Sequence, residues 1–174
     1  NSYDDNELGS VMSTDYIEIK ADLTIKQAMK TVVEEASTND NFTIIYVVND
    51  DETLYGTIEL KDLIKIGIIM LGNDGNFNWI NTSNVKSFRG LFHEMYDFNG
   101  HIELWDTSNV DNMAYMFHNA RSFNQPIGDW DTSNVMSMTH MFDNAIQFNQ
   151  PIGNWDVGNV INMSYMFYYA DSFN

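Results

Sequence analysis

The chain has 174 residues, enough for one or two domains, and its 25 Asp+Glu against 8 Lys+Arg give a formal charge of −17. That charge repels phosphate backbones and anionic membrane surfaces at every range, which argues against nucleic acid as a partner. The absence of cysteine excludes disulfides, thiolate metal sites and cysteine nucleophiles, while 44% apolar and 14% aromatic residues supply a packed core rather than wholesale disorder.

The longest apolar run, IGIIML at 66–71, is far short of the roughly 20 residues that a spanning helix needs. No signal-peptide pattern is present, and the chain opens on Asn1 rather than Met, as expected of an internal fragment of a longer protein. The charge excess is no tail: residues 1–72 carry 5 Lys against 14 Asp+Glu, and the remainder 3 Lys+Arg against 11.

In chain order, YIEIK at Tyr16–Lys20 alternates as a strand. Ala21-Asp22-Leu23-Thr24 then caps a helix near Ile25–Glu35, with Ala28, Val32 and Val33 on one side. FTIIYVV at Phe42–Val48 is a strongly apolar, β-branched strand, and Asn49-Asp50-Asp51-Glu52 is a turn. A further strand lies in Leu54–Leu60 around Gly56, and Asp62–Met70 reads as a second helix. The order β-α-β-β-α fills the first half.

That order, with GTIELKDL at 56–63, resembles a single CBS motif, and GSVMSTDYIEIKADLTIKQAMK at 9–30 looks most like the start of the CBS region of MgtE-type magnesium transporters. In the wider family two such motifs pair and bind adenosine nucleotides through Gly-hydrophobic-hydrophobic-Ser/Thr-x-x-Asp. The resemblance puts Gly56, Thr57, Ile58 and Asp62 at that site, with Asp62 on the ribose hydroxyls. Glu59 stands where the hydroxyl residue is expected, and its carboxylate opposes a phosphate. In the transporter group the CBS region senses Mg²⁺ through surface carboxylates. Asp50, Asp51 and Glu52 are the corresponding candidates, set against the plainer reading of a solvated acidic turn. A lone motif leaves a sheet face to be covered, by a homodimer or by the rest of the chain. The Gly/Asn-rich stretch at 73–79 reads as a linker.

The second half is a repeat array. Trp105, Trp130 and Trp155 recur at a step of 25. WDTSNV at 105–110 returns at 130–135 and, as WDVGNV, at 155–160; FNQPIG at 123–128 returns at 148–153. The copies are 80–104, 105–129, 130–154 and a truncated 155–174. In each copy a short extended segment precedes Thr107 or Ser108, a helix cap. Val110, Met113, Met116, Phe117 and Ala120 then follow at steps of three and four, the spacing of one helix face. Pro126 closes the copy and Phe123 anchors its loop. One copy cannot bury its own apolar face, so stacked copies are expected to form a solenoid, rising about 4.8 Å per coil where strands pair. The fold class expected is α/β: an N-terminal α+β motif over 1–72, then a solenoid of short strands and helices over 80–174.

Stacking aligns Asn109, Asn134 and Asn159 in one column and Asn124, Asn149 and Asn174 in another, as structural ladders or as a sugar- or ion-binding ladder. The tryptophans pack in the core or form an aromatic platform for sugars. The positions that vary from copy to copy mark a candidate interaction face: Asp111, Met136 and Ile161 after the valine, and His118, Asp143 and Tyr168 after the Met-Phe pair.

The motif W-D-T-S-N-V-x-x-M-x-x-M-F-x-x-A-x-x-F-N-Q-P-I-G resembles the BspA-like leucine-rich-repeat surface proteins over about residues 80–174. The first copy departs from it, with Phe88 and Leu91 for two methionines and Gly100-His101 for Gln-Pro, as suits an atypical junction coil. The resemblance implies a non-enzymatic bacterial protein, at the cell surface or secreted, that meets a protein or glycan partner. The alternative is a regulatory CBS module on the cytoplasmic face of a transporter. No catalytic constellation stands out: His93, His101, His118 and His140 follow no metal-ligand spacing, and Asp106, Asp131 and Asp156 recur as turn residues do.

Overall fold

In the computed structural model, residues 16–24, 27, 28, 31, 44–50 and 54–174 are described below. They divide into two units: Asn1–Met70 with Trp79–Asn81, and Leu71–Asn78 with Thr82–Asn174.

The first unit is a three-stranded sheet in the order β1-β2-β3, formed by β1 (Tyr16–Lys20), β2 (Ile44–Val48) and β3 (Leu54–Ile58). β1 pairs with β2 in parallel, Tyr16 opposite Ile44, so the connection between them is a crossover rather than a hairpin. β2 and β3 are antiparallel, and a bulge between Val47 and Val48 shifts the register beside Gly56. The helix expected at Ile25–Glu35 lies mostly outside the described residues, but its start is visible. Thr24 and Gln27 form a capping box: the Gln27 amide N–H donates to Thr24 Oγ1 (3.4 Å) and the Thr24 N–H to Gln27 Oε1 (3.0 Å). The second helix runs Leu60–Leu71, burying Leu63, Ile64 and Gly67, and ends at Gly72 in the left-handed region (φ 80°).

Beyond Leu71, where the second helix ends, the second unit carries no helix among its described residues. This corrects the reading of 110–120 as a helical face. The amide of Val110 bonds to the carbonyl of Thr107, Met116 to Met113, His118 to Tyr115, Ala120 to Phe117 and Phe123 to Ala120. These are bonds three residues apart, a chain of turns rather than an α-helical ladder. Two positions per copy prevent helix continuation by taking positive φ: Gly90, Tyr115, His140 and Tyr165 at one, Glu94, Asn119, Asn144 and Tyr169 at the other. Turns of this length also bring every third or fourth residue inward, which is why the apolar spacing imitated a helix.

Instead of bonding within a helix, the amides reach the next copy. In the copy 105–129 the N–H groups of Met113, Tyr115, Phe117 and Asn119 donate to the carbonyls of Ser137, Thr139, Met141 and Asp143. The same pattern joins Phe88, Gly90, Phe92 and Glu94 to Asn112, Ala114, Met116 and His118, and Met138, His140, Phe142 and Asn144 to Asn162, Ser164, Met166 and Tyr168. The link between copies is thus a series of isolated parallel bridges, Ser87 to Asn112 to Ser137 to Asn162, in place of the paired strands expected. The stretch read as a linker joins this ladder too: Phe77 donates to the His101 carbonyl, and His101 and Asn99 donate to the carbonyls of Gly75 and Asn73.

The interior repeats with the ladder. Phe92, Phe117, Phe142 and Phe167 stack at 5.4, 5.4 and 5.5 Å between ring centroids. Phe98, Phe123, Phe148 and Phe173 stack beside them at 6.1, 6.0 and 5.8 Å. Val110, Val135, Met113 and Met138 are fully buried, and Trp105, Trp130 and Trp155 are nearly so. The tryptophans are core residues, and Trp105 and Trp155 donate their indole N–H to the carbonyls of Phe77 and Ile127. Their rings leave no exposed platform for sugars.

Candidate functional site: two columns on the repeat array

The asparagine columns are built into the turns. Asn109, Asn134 and Asn159 each donate a side-chain N–H to the carbonyl of the serine in the preceding copy, Ser83, Ser108 and Ser133, at 2.7 Å. The Oδ1 atoms of Asn99, Asn124 and Asn149 accept the backbone N–H of Asn124, Asn149 and Asn174. Both sets tie one copy to the next, the structural alternative of the two considered for them.

Beside the first set runs the column Lys86, Asp111, Met136, Ile161. Each amide donates to the preceding member's carbonyl at 2.8 Å: Asp111 to Lys86, Met136 to Asp111, Ile161 to Met136. These four residues, with Asn109, Asn134 and Asn159, line an open groove of about 690 Å³. Its character changes along its length, from a lysine and a carboxylate to Met136 and Ile161, the latter 83% exposed.

The second column is His93, His118, Asp143, Tyr168, and none of these lines the groove. The His93 and His118 rings stack at 4.8 Å. Asp143 is buried and takes two histidines, His140 Nδ1 at 2.6 Å and His118 Nε2 at 3.6 Å. Burial holds the His118 imidazole below the ordinary histidine value; Asp143 opposes this, and His93 and His140 add to it. A third column, missed in the sequence, stands alongside: Tyr115, His140 and Tyr165 stack at 4.9 Å each, with the Arg89 guanidinium 5.1 Å from the Tyr115 ring. The signal for it was present, since its members occupy one phase of the 25-residue repeat, which reads Gly90, Tyr115, His140, Tyr165.

In the first unit, Gly56, Thr57 and Ile58 end β3, and Glu59 is the single residue between that strand and the helix. The Glu59 carbonyl accepts the N–H of Asp62 and Leu63, which seats Asp62 in the first helical turn. Its carboxylate is exposed and lies 2.9 Å from Lys65 Nζ. Asp50 is exposed in the turn after β2, whereas Asp51 and Glu52 lie outside the described residues. Among the described residues no group of three or more His, Asp or Glu side chains is placed to hold a metal ion, and no helix is long and apolar enough to cross a membrane.

Comparison with known proteins divides the chain the same way. Residues 8–68 match the CBS domain. The magnesium transporter MgtE of Enterococcus faecalis (strain ATCC 700802 / V583) is 34% identical over 62 residues, 36% of this chain and 14% of that protein. The chain therefore spans a small part of the curated relative it matches. No solved structure matches. Residues 70–174, more than half of the chain and all four copies of the repeat, match the family described as "Mycoplasma protein of unknown function, DUF285", and the chain belongs to that family.

Proposed function

We propose that the repeat array is a solenoid whose outer columns bind a protein or glycan at the bacterial cell surface, with no catalytic role. One observation carries this reading: the buried tryptophan and phenylalanine positions keep their residue from copy to copy, whereas the column that lines the groove changes residue in every copy. Trp105, Trp130 and Trp155 are all buried, as are Phe117 and Phe142, while the neighbouring column reads Lys86, Asp111, Met136, Ile161. A scaffold held by backbone ladders tolerates any side chain outside, and repeat proteins use such surfaces for recognition. The test is binding of the whole chain to an immobilised panel of host-matrix proteins and oligosaccharides. Saturable binding that Met136→Asp and Ile161→Asp weaken tenfold or more supports the groove. Binding that ignores both substitutions, or none across the panel, refutes it.

A second reading is supported by the CBS match and by the tight turn from β3 into the helix. There Gly56, Thr57, Ile58 and Asp62 would meet an adenosine nucleotide, or the carboxylates of Asp50, Asp51 and Glu52 would meet Mg²⁺, as in a transporter's regulatory region. Calorimetry on the whole chain with AMP, ATP and Mg²⁺ separates the cases. Heat abolished by Asp62→Ala assigns the strand-to-helix turn, and no heat at millimolar ligand removes this reading.

A further inference from the structure

The histidine column carries a property independent of any binding partner. His118 has a polar neighbour at each ring nitrogen. Nε2 faces the Asp143 carboxylate at 3.6 Å, and Nδ1 lies 3.3 Å from Asn119 Nδ2. A neutral imidazole donates at one nitrogen and accepts at the other. The amide donor fixes Nδ1 as the acceptor, so the proton sits on Nε2, towards the carboxylate. In the same orientation Asn119 Oδ1 accepts from Asn144 Nδ2 at 2.6 Å. Any second proton on His118 must go to Nδ1, where it meets a donor.

We propose that His118, Asn119 and Asn144 form a proton-operated latch between two successive copies of the repeat. Uptake of a proton from solvent at Nδ1 of His118 sets an N–H against the Asn119 amide N–H₂. Asn119 must then turn its Oδ1 to the ring, and its bond to Asn144 is lost. That bond joins the copy 105–129 to the copy 130–154. On the other side the ring stacks on His93 of the copy 80–104, so charging both imidazoles sets two cations face to face.

The groups around His118 decide the direction. From the preceding copy His93 opposes the charge and Glu94 favours it; from the following copy His140 opposes it and Asp143 favours it. Tyr115, from its own copy, presents a ring edge at 5.8 Å. The Asp143 carboxylate is already bonded to His140 at 2.6 Å, so the compensation it offers His118 is shared. Burial is the largest influence and opposes the charge. The folded chain thus binds this proton less readily than the unfolded chain does. Stability is unaffected above the ordinary histidine value, falls as pH drops through it, and reaches its full loss below the folded-state value.

The test uses the whole chain and two readouts. Nitrogen-15 NMR of the histidine rings is expected to show the Nε2–H tautomer at neutral pH and a His118 midpoint below about 6.5, the free histidine value. An Nδ1–H tautomer, or a midpoint at or above that value, overturns the latch. Thermal unfolding is expected to lose about 2–4 °C between roughly pH 7.5 and 5.5 relative to His118→Gln, which cannot take up the proton. Asn119→Asp, which offers Nδ1 an acceptor while still accepting from Asn144, is expected to reverse the sign of that difference. Parallel curves for the unaltered chain and His118→Gln overturn the proposal, and if His118→Gln does not fold, the ring titration decides alone.

Discussion

Thr107 is almost fully buried, yet it carries a hydroxyl. The hydroxyl donates to the Asp131 carbonyl of the next copy at 2.9 Å, as Thr82 does to Asp106 and Thr132 to Asp156. The same residues read at first as helix caps are therefore rungs between copies. In the final copy Val157 occupies the equivalent position, so the shape of a valine suits the backbone there. Thr107→Val should keep the packing and remove one rung, leaving the part-buried Asp131 carbonyl short of a partner. The expected cost is about 0.5–1.5 kcal/mol, measured by urea unfolding of the whole chain. A cost below about 0.5 kcal/mol would mean that water reaches the Asp131 carbonyl and that the rung contributes little.

At the scale of the copy, the aromatic stacks set the energetics. Phe117 is fully buried and touches four rings: Phe92 and Phe142 along the stack at 5.4 Å each, Phe123 within its copy at 3.9 Å, and Trp130 at 6.3 Å. Replacing it with alanine opens a cavity between ladders that cannot close without breaking them. Phe117→Ala should cost about 3–5 kcal/mol, and the indole fluorescence of Trp130 should shift to the red as water enters. Unchanged fluorescence with a small loss would show that the copies collapse around the gap. The 25-residue period, the buried tryptophans and the inward Phe123 were legible because packing repeats whatever the backbone does. The strands of the first unit were legible from alternation, and YIEIK matches β1 at both ends. The backbone path of a copy was not. Spacing of three and four fits a helix or a chain of turns equally, and nothing in a tyrosine announces the positive φ of Tyr115 or Tyr165. Gly90, Asn119 and Asn144 tolerate that conformation and gave the local hints. The histidine column was half legible: His93 and His118 share a phase of the repeat, but the roles of Asn119 and Asp143 depend on turns that sequence did not foresee.

For the molecule as a whole, charge acts against the fold. The formal −17 is spread over both halves, so neither unit relieves the other's repulsion by its own composition. Among the described residues, compensation by cations is slight. Lys20 meets Glu18 at 3.2 Å and Lys65 meets Asp62 at 2.9 Å, but these pairs are exposed, and such pairs contribute about 0–1 kcal/mol each. Arg89 and Arg121 lie over the rings of Tyr115 and Tyr96. Repulsion among carboxylates is long-ranged at low salt and is cut off as the screening length falls from about 30 Å at 0.01 M to about 8 Å at 0.15 M. Unfolding spreads these charges apart, so screening favours the folded chain. The melting temperature should therefore rise by about 2–4 °C between those salt concentrations, for each kcal/mol of repulsion removed. If attractive pairs held the fold instead, the same titration would lower it. A non-coordinating salt such as sodium chloride separates this effect from Mg²⁺ binding: a rise seen with MgCl₂ but not with NaCl at matched ionic strength would point to a specific cation site, not to screening.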